Sequence, residues 1–127
     1  MALKKTRLTG IISISGSGGT GVGILTGGRS STPVGIASTC YVKSVVAHNP
    51  TATPTTIQLF FEASTTPASS SPSSARQFYR QSLDAFETQI FETNYPIVFA
   101  PNDTLTAVVG VGSTANFMVL GDTEVVS

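Results

Sequence analysis

The chain has 127 residues, of which 40% are hydrophobic and only 11% are Asp, Glu, Lys or Arg. This length predicts one domain with its own core, and the hydrophobic content excludes a chain that is disordered throughout. The single cysteine, Cys40, excludes a disulfide framework, and no run of 18 apolar residues is present to form a membrane-spanning helix.

The formal net charge is zero, but the charges are divided between the two halves. Residues 1–61 contain five basic residues and no acidic one, whereas residues 62–127 contain all seven acidic residues and two basic ones. This asymmetry predicts an ionic contact, with three alternatives. The contact lies within the chain, between subunits packed head to tail, or between a basic N-terminal segment and an acidic partner.

The first 33 residues are predicted to form an extended basic arm. Residues 4–15 alternate, with Leu8, Ile12 and Ile14 on one face, which indicates a first strand or an arm that becomes a strand on docking. Ser15–Gly23 holds five glycines in nine residues and favours a flexible linker. The sequence therefore predicts an arm and linker at residues 1–33 and a β-domain at residues 34–127.

The strongest strand signals lie between residues 40 and 64. Tyr41–His48 is rich in valine, and Ile57–Ser64 alternates apolar and polar residues, as a half-buried strand does. Asn49–Pro54 separates them, and its two prolines remove backbone donors and end the first strand. We expect these two strands to form a hairpin at the centre of the fold.

Further short strands follow, separated by turns. Thr65–Ala75 is a low-complexity polar segment and is predicted to be an exposed loop. Residues 84–93 fit either a helix or a strand, since Asp84 and Glu87 resemble a capping box; the aromatic and β-branched content favours the strand. The other predicted strands are Arg76–Leu83, Ile97–Phe99, Thr104–Val111 and Phe117–Leu120.

About seven or eight short strands are predicted in total. Strands at this spacing, with turn residues between them, are typical of an all-β protein with a single β-sandwich or jelly-roll-like domain. The predicted fold is that domain with the N-terminal arm attached.

Two patterns that could indicate chemistry are better explained structurally. Gly16–Gly21 matches the glycine spacing of a dinucleotide-binding loop, but no helix-forming sequence follows it and no acidic residue precedes Glu62. Cys40 and His48 lie eight residues apart in one predicted strand, which separates them by about 26 Å and excludes a catalytic dyad. We predict that Gly16–Gly21 is part of a linker, that Cys40 is a buried thiol and that His48 is a polar residue at a strand end.

No enzyme is predicted. The carboxylates are scattered along the second half, and the absence of tryptophan removes the usual platform of a carbohydrate-cleaving site. We therefore expect no catalytic, cofactor-binding or metal-binding residues and no cofactor. The acidic residues are Glu62, Asp84, Glu87, Glu92, Asp103, Asp122 and Glu124.

The arm is the predicted partner-binding segment. Three basic residues without interleaved aromatics would give only weak, salt-sensitive binding to nucleic acid, and an acidic protein surface is at least as good a match. The alternative is that these charges only solubilise the terminus. Neither nucleic acid nor a membrane is an expected partner. The predicted contact residues are Lys4, Lys5, Arg7, Leu8, Ile12 and Ile14.

Two segments carry a resemblance to a known group of proteins. Residues 41–61 read as a strand, an asparagine-bearing turn and an alternating strand, and residues 95–107 contain the Pro-Asn-Asp-Thr-Leu entry to a further strand. This succession resembles small β-sandwich virion proteins of tailed bacteriophages. The likeness covers about residues 40–120 and leaves the N-terminal 33 residues outside it.

The resemblance implies a structural role without chemistry. It predicts a capsid decoration or cement protein, located in virions assembled in the host cytoplasm and forming a homo-oligomer that is often a trimer. Its partners would be the major capsid protein or a neighbouring virion protein, reached through the arm. On this model a chain lacking residues 2–19 stays folded but loses shell binding. The alternatives are a neck or tail adaptor and a non-enzymatic ligand-binding β-module.

Overall fold

The computed structural model describes residues 2–16, 21–26, 39–63 and 74–125. In these ranges the regular elements are nine strands and one short 3-10 turn at Ser74–Arg76. The chain is therefore all-β, as predicted. The strands are Ala2–Arg7 (β1), Ile12–Ser15 (β2), Val22–Thr26 (β3), Cys40–His48 (β4), Thr55–Glu62 (β5), Gln77–Leu83 (β6), Thr88–Phe99 (β7), Thr104–Val109 (β8) and Thr114–Val125 (β9).

The strands form two antiparallel sheets. Sheet A has the order β1-β9-β4-β7, and β2 pairs with the same edge of β9 as β1, so β1 and β2 act as one interrupted strand. Sheet B has the order β3-β8-β5-β6. Successive strands alternate between the sheets, except for the β5–β6 pair. This order is that of a jelly roll, an eight-stranded sandwich of two sheets.

The predicted hairpin at residues 40–64 is wrong in one respect: its two strands do not pair. β4 lies in sheet A between β9 and β7, whereas β5 lies in sheet B between β8 and β6. Both edges of each strand are thus occupied by strands from elsewhere in the chain. The segment between them crosses from one sheet to the other, and Pro50 and Pro54 suit this path because neither can donate to a ladder.

The described parts of residues 1–33 also differ from the predicted arm. β1 and β2 complete sheet A along β9, and β3 completes sheet B along β8. Four apolar side chains of this region lie in the core: Leu8, Ile14, Ile24 and Leu25. The reason is that β9 and β8 each need a partner on their second edge, and these strands supply it. The predicted linker residues 17–20 lie outside the described residues.

The break between β1 and β2 is held by backbone contacts. The amides of Leu8 and Thr9 both donate to the Val119 carbonyl, at 2.8 and 3.3 Å. The Val119 amide in turn donates to Thr9 Oγ1 at 3.1 Å. The interruption therefore keeps its hydrogen bonds, buries Leu8 and leaves Ile11 on the outside.

The core lies between the two sheets and follows the predicted alternation, but β5 is not half-buried along its whole length, since Phe60 and Glu62 on its other face are buried as well. Ile57 and Leu59 of β5 point inward, as do Val45 and Ala47 of β4. Cys40 is buried and free, as expected for a small apolar residue in a strand. The largest buried side chains include Phe99, Phe117, Leu8, Leu25, Leu83 and Leu105.

Candidate functional site

The outer face of sheet A carries a continuous row of apolar side chains. Val46 of β4 stands opposite Ile90 of β7 on one side and Met118 of β9 on the other. The neighbours of these residues along β4 and β9 are buried, so the three side chains point away from the core. We call Ile90, Val46 and Met118 the apolar row.

A shallow groove adjoins the apolar row. Its volume is about 190 Å³, and Ile11 forms one wall with 74% of its surface exposed. Ile11 reaches this place because it follows the break between β1 and β2. The groove is lined by Ile11, Val46, His48, Asn116, Phe117 and Met118.

A polar row lies beside the apolar one. His48 stands opposite Thr88 and Asn116 in the ladders. His48 Nδ1 and Thr88 Oγ1 are 2.7 Å apart, so the imidazole and the hydroxyl share a hydrogen bond. This bond orients the ring at the edge of the face.

Few charges interrupt this face. Lys43 Nζ lies 2.9 Å from Asp122 Oδ2, and the aspartate is largely buried. Lys5 stands opposite Asp122 in the β1–β9 ladder, so a second basic residue is level with Asp122 in sheet A. Glu92 is exposed on β7, next to Ser44 of β4. Charge-poor, apolar surface of this kind is typical of the central part of protein interfaces.

β7 is an edge strand with exposed apolar side chains. Its register with β4 is regular from Thr88 to Glu92, and it then jumps so that Ile97 stands opposite Val42. Residues 93–96 therefore bulge from the sheet, and Tyr95 in the bulge is 86% exposed. A large exposed apolar surface at a sheet edge is unusual in a monomeric protein.

A hydrogen-bonded turn cluster supports the start of β7. The buried Asn49 side chain donates to the carbonyls of Thr53 and Asp84, at 2.9 and 3.1 Å, and accepts from the Thr51 amide at 3.0 Å. The Phe86 amide donates to the Thr51 carbonyl at 3.2 Å. Residues 84–87 thus form a turn rather than the start of a strand, and Phe86 has a φ of 59°, a left-handed conformation that is strained for an aromatic residue.

The predicted partner-binding residues are distributed differently from the prediction. Leu8 and Ile14 are buried in the core, and Ile12 packs against it, so none of the three offers a free apolar surface. Lys4, Lys5 and Arg7 lie on β1 at the edge of sheet A, and their role in partner binding stays a prediction. The surface residues that the sequence did not identify are Ile11, Ile90 and Met118. Ile11 had one signal, since it interrupts the alternation of residues 4–15.

Phe78 and Tyr79 of β6 lie against β7. The rings of Phe78 and Tyr79 have centroids 5.7 and 4.6 Å from that of Phe91. Burial raises the pKa of the Tyr79 hydroxyl above its usual range. These contacts close the sandwich along the β6–β7 edge.

Residues with catalytic potential do not converge in the described parts of the chain. Cys40 and His48 occupy opposite ends of β4, as the sequence predicted. In the described ranges, His, Cys, Asp and Glu side chains nowhere gather in threes to hold a metal ion. Nor does any helix of those ranges have the length and apolar character needed to cross a bilayer.

Glu62 is a buried carboxylate to which no described residue donates a hydrogen bond. Its side chain is 1% exposed at the end of β5, and this holds for both carboxylate oxygens. A buried polar group in this condition costs about 1–3 kcal/mol. The Glu62 carboxylate is the clearest unfavourable group in the described part of the protein.

Replacing Glu62 by methionine is therefore expected to stabilise the protein by about 1–3 kcal/mol, because the length of the side chain is kept and the unpaired oxygens are removed. Urea denaturation followed by circular dichroism measures the change. Glu62→Gln is the matched control, since it keeps two unpaired polar atoms and should gain less. A methionine variant less stable than the natural chain would contradict the prediction.

Comparison with known proteins gives no family. No protein-family model matches the sequence, and no curated protein matches it significantly.

Proposed function

We propose that the protein is a non-enzymatic structural subunit of a tailed-phage virion, of the decoration or cement type. The observation that supports this most is the charge-poor outer face of sheet A, with its apolar row and groove. The jelly-roll order adds weight, because viral capsid proteins commonly use this architecture. Fold alone does not determine function, so the surface carries the argument.

The proposed mechanism differs from docking by a free arm. Because β1 and β2 pair with β9 of their own chain, the shell contact is assigned to the outer face of sheet A. The basic residues Lys4, Lys5 and Arg7 belong to β1 at the edge of sheet A, and their contact with acidic groups of the shell stays a prediction. Each contact is small, and many copies on one particle would hold by avidity.

A ligand-binding module is less well supported. Pockets for small molecules usually measure about 300–1,000 Å³ and enclose most of the ligand. The groove on sheet A has a volume of about 190 Å³ and opens onto the face. A flat protein surface suits it better than a sugar or peptide.

The first test is the number of copies in purified particles relative to the major shell protein, measured by quantitative mass spectrometry. Tens to hundreds of copies per particle would support decoration. About six or twelve would place the protein in the neck or tail, and absence from particles would refute a virion role.

The second test asks which surface binds. Met118→Lys places a charge in the apolar row and should reduce binding to particles stripped of this protein at least tenfold. Arg80→Glu, on the exposed part of β6 in sheet B, is the control and should bind normally. Equal binding by both variants would refute the assignment to sheet A.

A further inference from the structure

The free edge of β7 has the properties of a strand that pairs with another chain. β7 is the last strand of sheet A, so one of its edges has no ladder partner among the residues that the structure describes. From Thr88 to Glu92 its register with β4 is unbroken, and the sequence Thr-Gln-Ile-Phe-Glu contains no lysine, proline or glycine. Natural proteins usually protect such edges with charges, proline or bulges.

The other sheet edges are protected in these ways. β1 carries Lys4, Lys5 and Arg7. β3 has five residues, with a register irregularity between Gly23 and Leu25. β6 pairs with a shifted register at Leu59 and Phe60 and exposes Arg80. Residues 88–92 are thus the one regular, unprotected edge segment in the described sheets.

We propose that residues 88–92 pair antiparallel with the same residues of a second copy, which joins two A sheets into one. The length of the segment sets the register. The turn at residues 84–87 ends it on one side, and the bulge at residues 93–96, which contains Pro96, ends it on the other. The midpoint is Ile90, so a twofold axis passes beside that residue.

This register places no like charges opposite each other. Glu92 of each copy lies opposite the uncharged Thr88 of the other. The Thr88 hydroxyl already lies 2.7 Å from His48 Nδ1. It can accept from the ring N–H and donate to the incoming carboxylate, so the contact forms twice by symmetry.

The register also extends the apolar surface. Ile90 meets Ile90 of the second copy across the axis, because residues opposite each other share a face of the sheet. The apolar rows of the two copies then form one row of six side chains across the joined sheets. A second copy presents the same segment, so the Thr88–Glu92 contact forms twice and the Ile90–Ile90 contact forms on the axis.

The proposed dimer names a second copy of the chain as one partner of sheet A. Its role in a virion rests on the proposed function. The contact itself needs no particle. It is tested on the purified full chain. A chain that does not dimerise leaves the copy-number test undecided, and absence of the protein from particles leaves the dimer intact.

The first experiment is sedimentation equilibrium over 1–200 µM. We expect a monomer–dimer equilibrium, and Ile90→Lys should raise the dissociation constant at least tenfold because it places two lysines together at the axis. Val98→Lys is the matched control: it is exposed on the same strand and lies beyond the bulge, so it should dimerise normally. A monomer at all concentrations, a trimer, or a dimer unaffected by Ile90→Lys would overturn the proposal.

A second experiment tests the register directly. Facing residues in antiparallel strands have Cα atoms about 4.5–5.5 Å apart, within the range that a disulfide spans. Ile90→Cys should therefore give a covalent dimer on mild oxidation, whereas Val98→Cys should not. The natural Cys40 is buried and should not interfere. Equal cross-linking at both positions, or none at position 90, would refute the register.

Discussion

Replacing Leu8 by alanine is expected to lower the free energy of unfolding by about 3 kcal/mol. The side chain is fully buried among the core residues between the two sheets, and a leucine-to-alanine change in such a place costs about 2–5 kcal/mol through lost burial and the cavity that remains. Urea denaturation with the tryptophan-free chain, followed by circular dichroism at a strand wavelength, measures the loss.

Ile11→Ala is the control for Leu8→Ala. The two residues are three positions apart, but Ile11 is 74% exposed, so its truncation should change stability by less than about 0.5 kcal/mol. The pair separates two descriptions of the N-terminal segment. If both variants were as stable as the natural chain, residues 2–15 would be a detachable arm and not part of the sandwich.

The burial of Leu8 and Ile14 changes the expected result of a deletion. An arm could be removed without loss of the fold, which is what the sequence predicted for a chain lacking residues 2–19. That deletion removes β1 and β2, exposes one edge of β9 and takes Leu8 and Ile14 from the core. We now expect the shortened chain to unfold or aggregate, so loss of particle binding by it would say nothing about the binding surface.

The fold class could be predicted because alternation is local information. Ile57 and Leu59 are both buried, and their polar neighbours Thr56 and Gln58 are less so, as period two requires. The dense valines of Tyr41–His48 correctly indicated a central strand, since β4 has a partner on each side. Turn residues between these runs gave a strand count close to that observed.

Strand pairing could not be predicted in the same way. Alternation shows which face of a strand is buried but does not identify its partner. Asn49–Pro54 could join two strands of one sheet or carry the chain to the other sheet, and the placement of β4 and β5 in different sheets shows that it does the second. The Asn49 side chain donates to the carbonyl of Asp84, which is 35 residues away, so no local pattern contains this contact.

The candidate surface could not be predicted from the sequence for a related reason. Ile90, Val46 and Met118 come from three strands far apart in the sequence and become neighbours only through the registers of β4 with β7 and β9. Each of them alone looks like an ordinary strand residue. The glycine-dense sequence after β2 favoured a linker, and it stands in the chain between β2 of sheet A and β3 of sheet B.

Gly121 maintains the register on which that surface depends. At this position the register between β4 and β9 shifts, because Lys43 is an extra residue between Val42 and Ser44. Gly121 stands opposite Val42, and a Cβ atom there would overlap the carbonyl oxygen of Tyr41. Backbone cannot move aside as a flexible side chain can, so the two central strands of sheet A would have to separate.

Gly121→Ala is therefore expected to destabilise the protein by about 3 kcal/mol, at the upper end of the usual cost of overpacking. Gly10→Ala is the matched control: apart from its two chain neighbours, no described residue has an atom within 4 Å of the added Cβ, so it should be neutral or slightly stabilising through the unfolded state. Both are measured by urea denaturation. Equal stability of the two variants would mean that the bulge at Lys43 is not a fixed feature of the fold. The alignment of Ile90, Val46 and Met118 would then lose its structural basis, because it depends on β4 keeping one register with both neighbours.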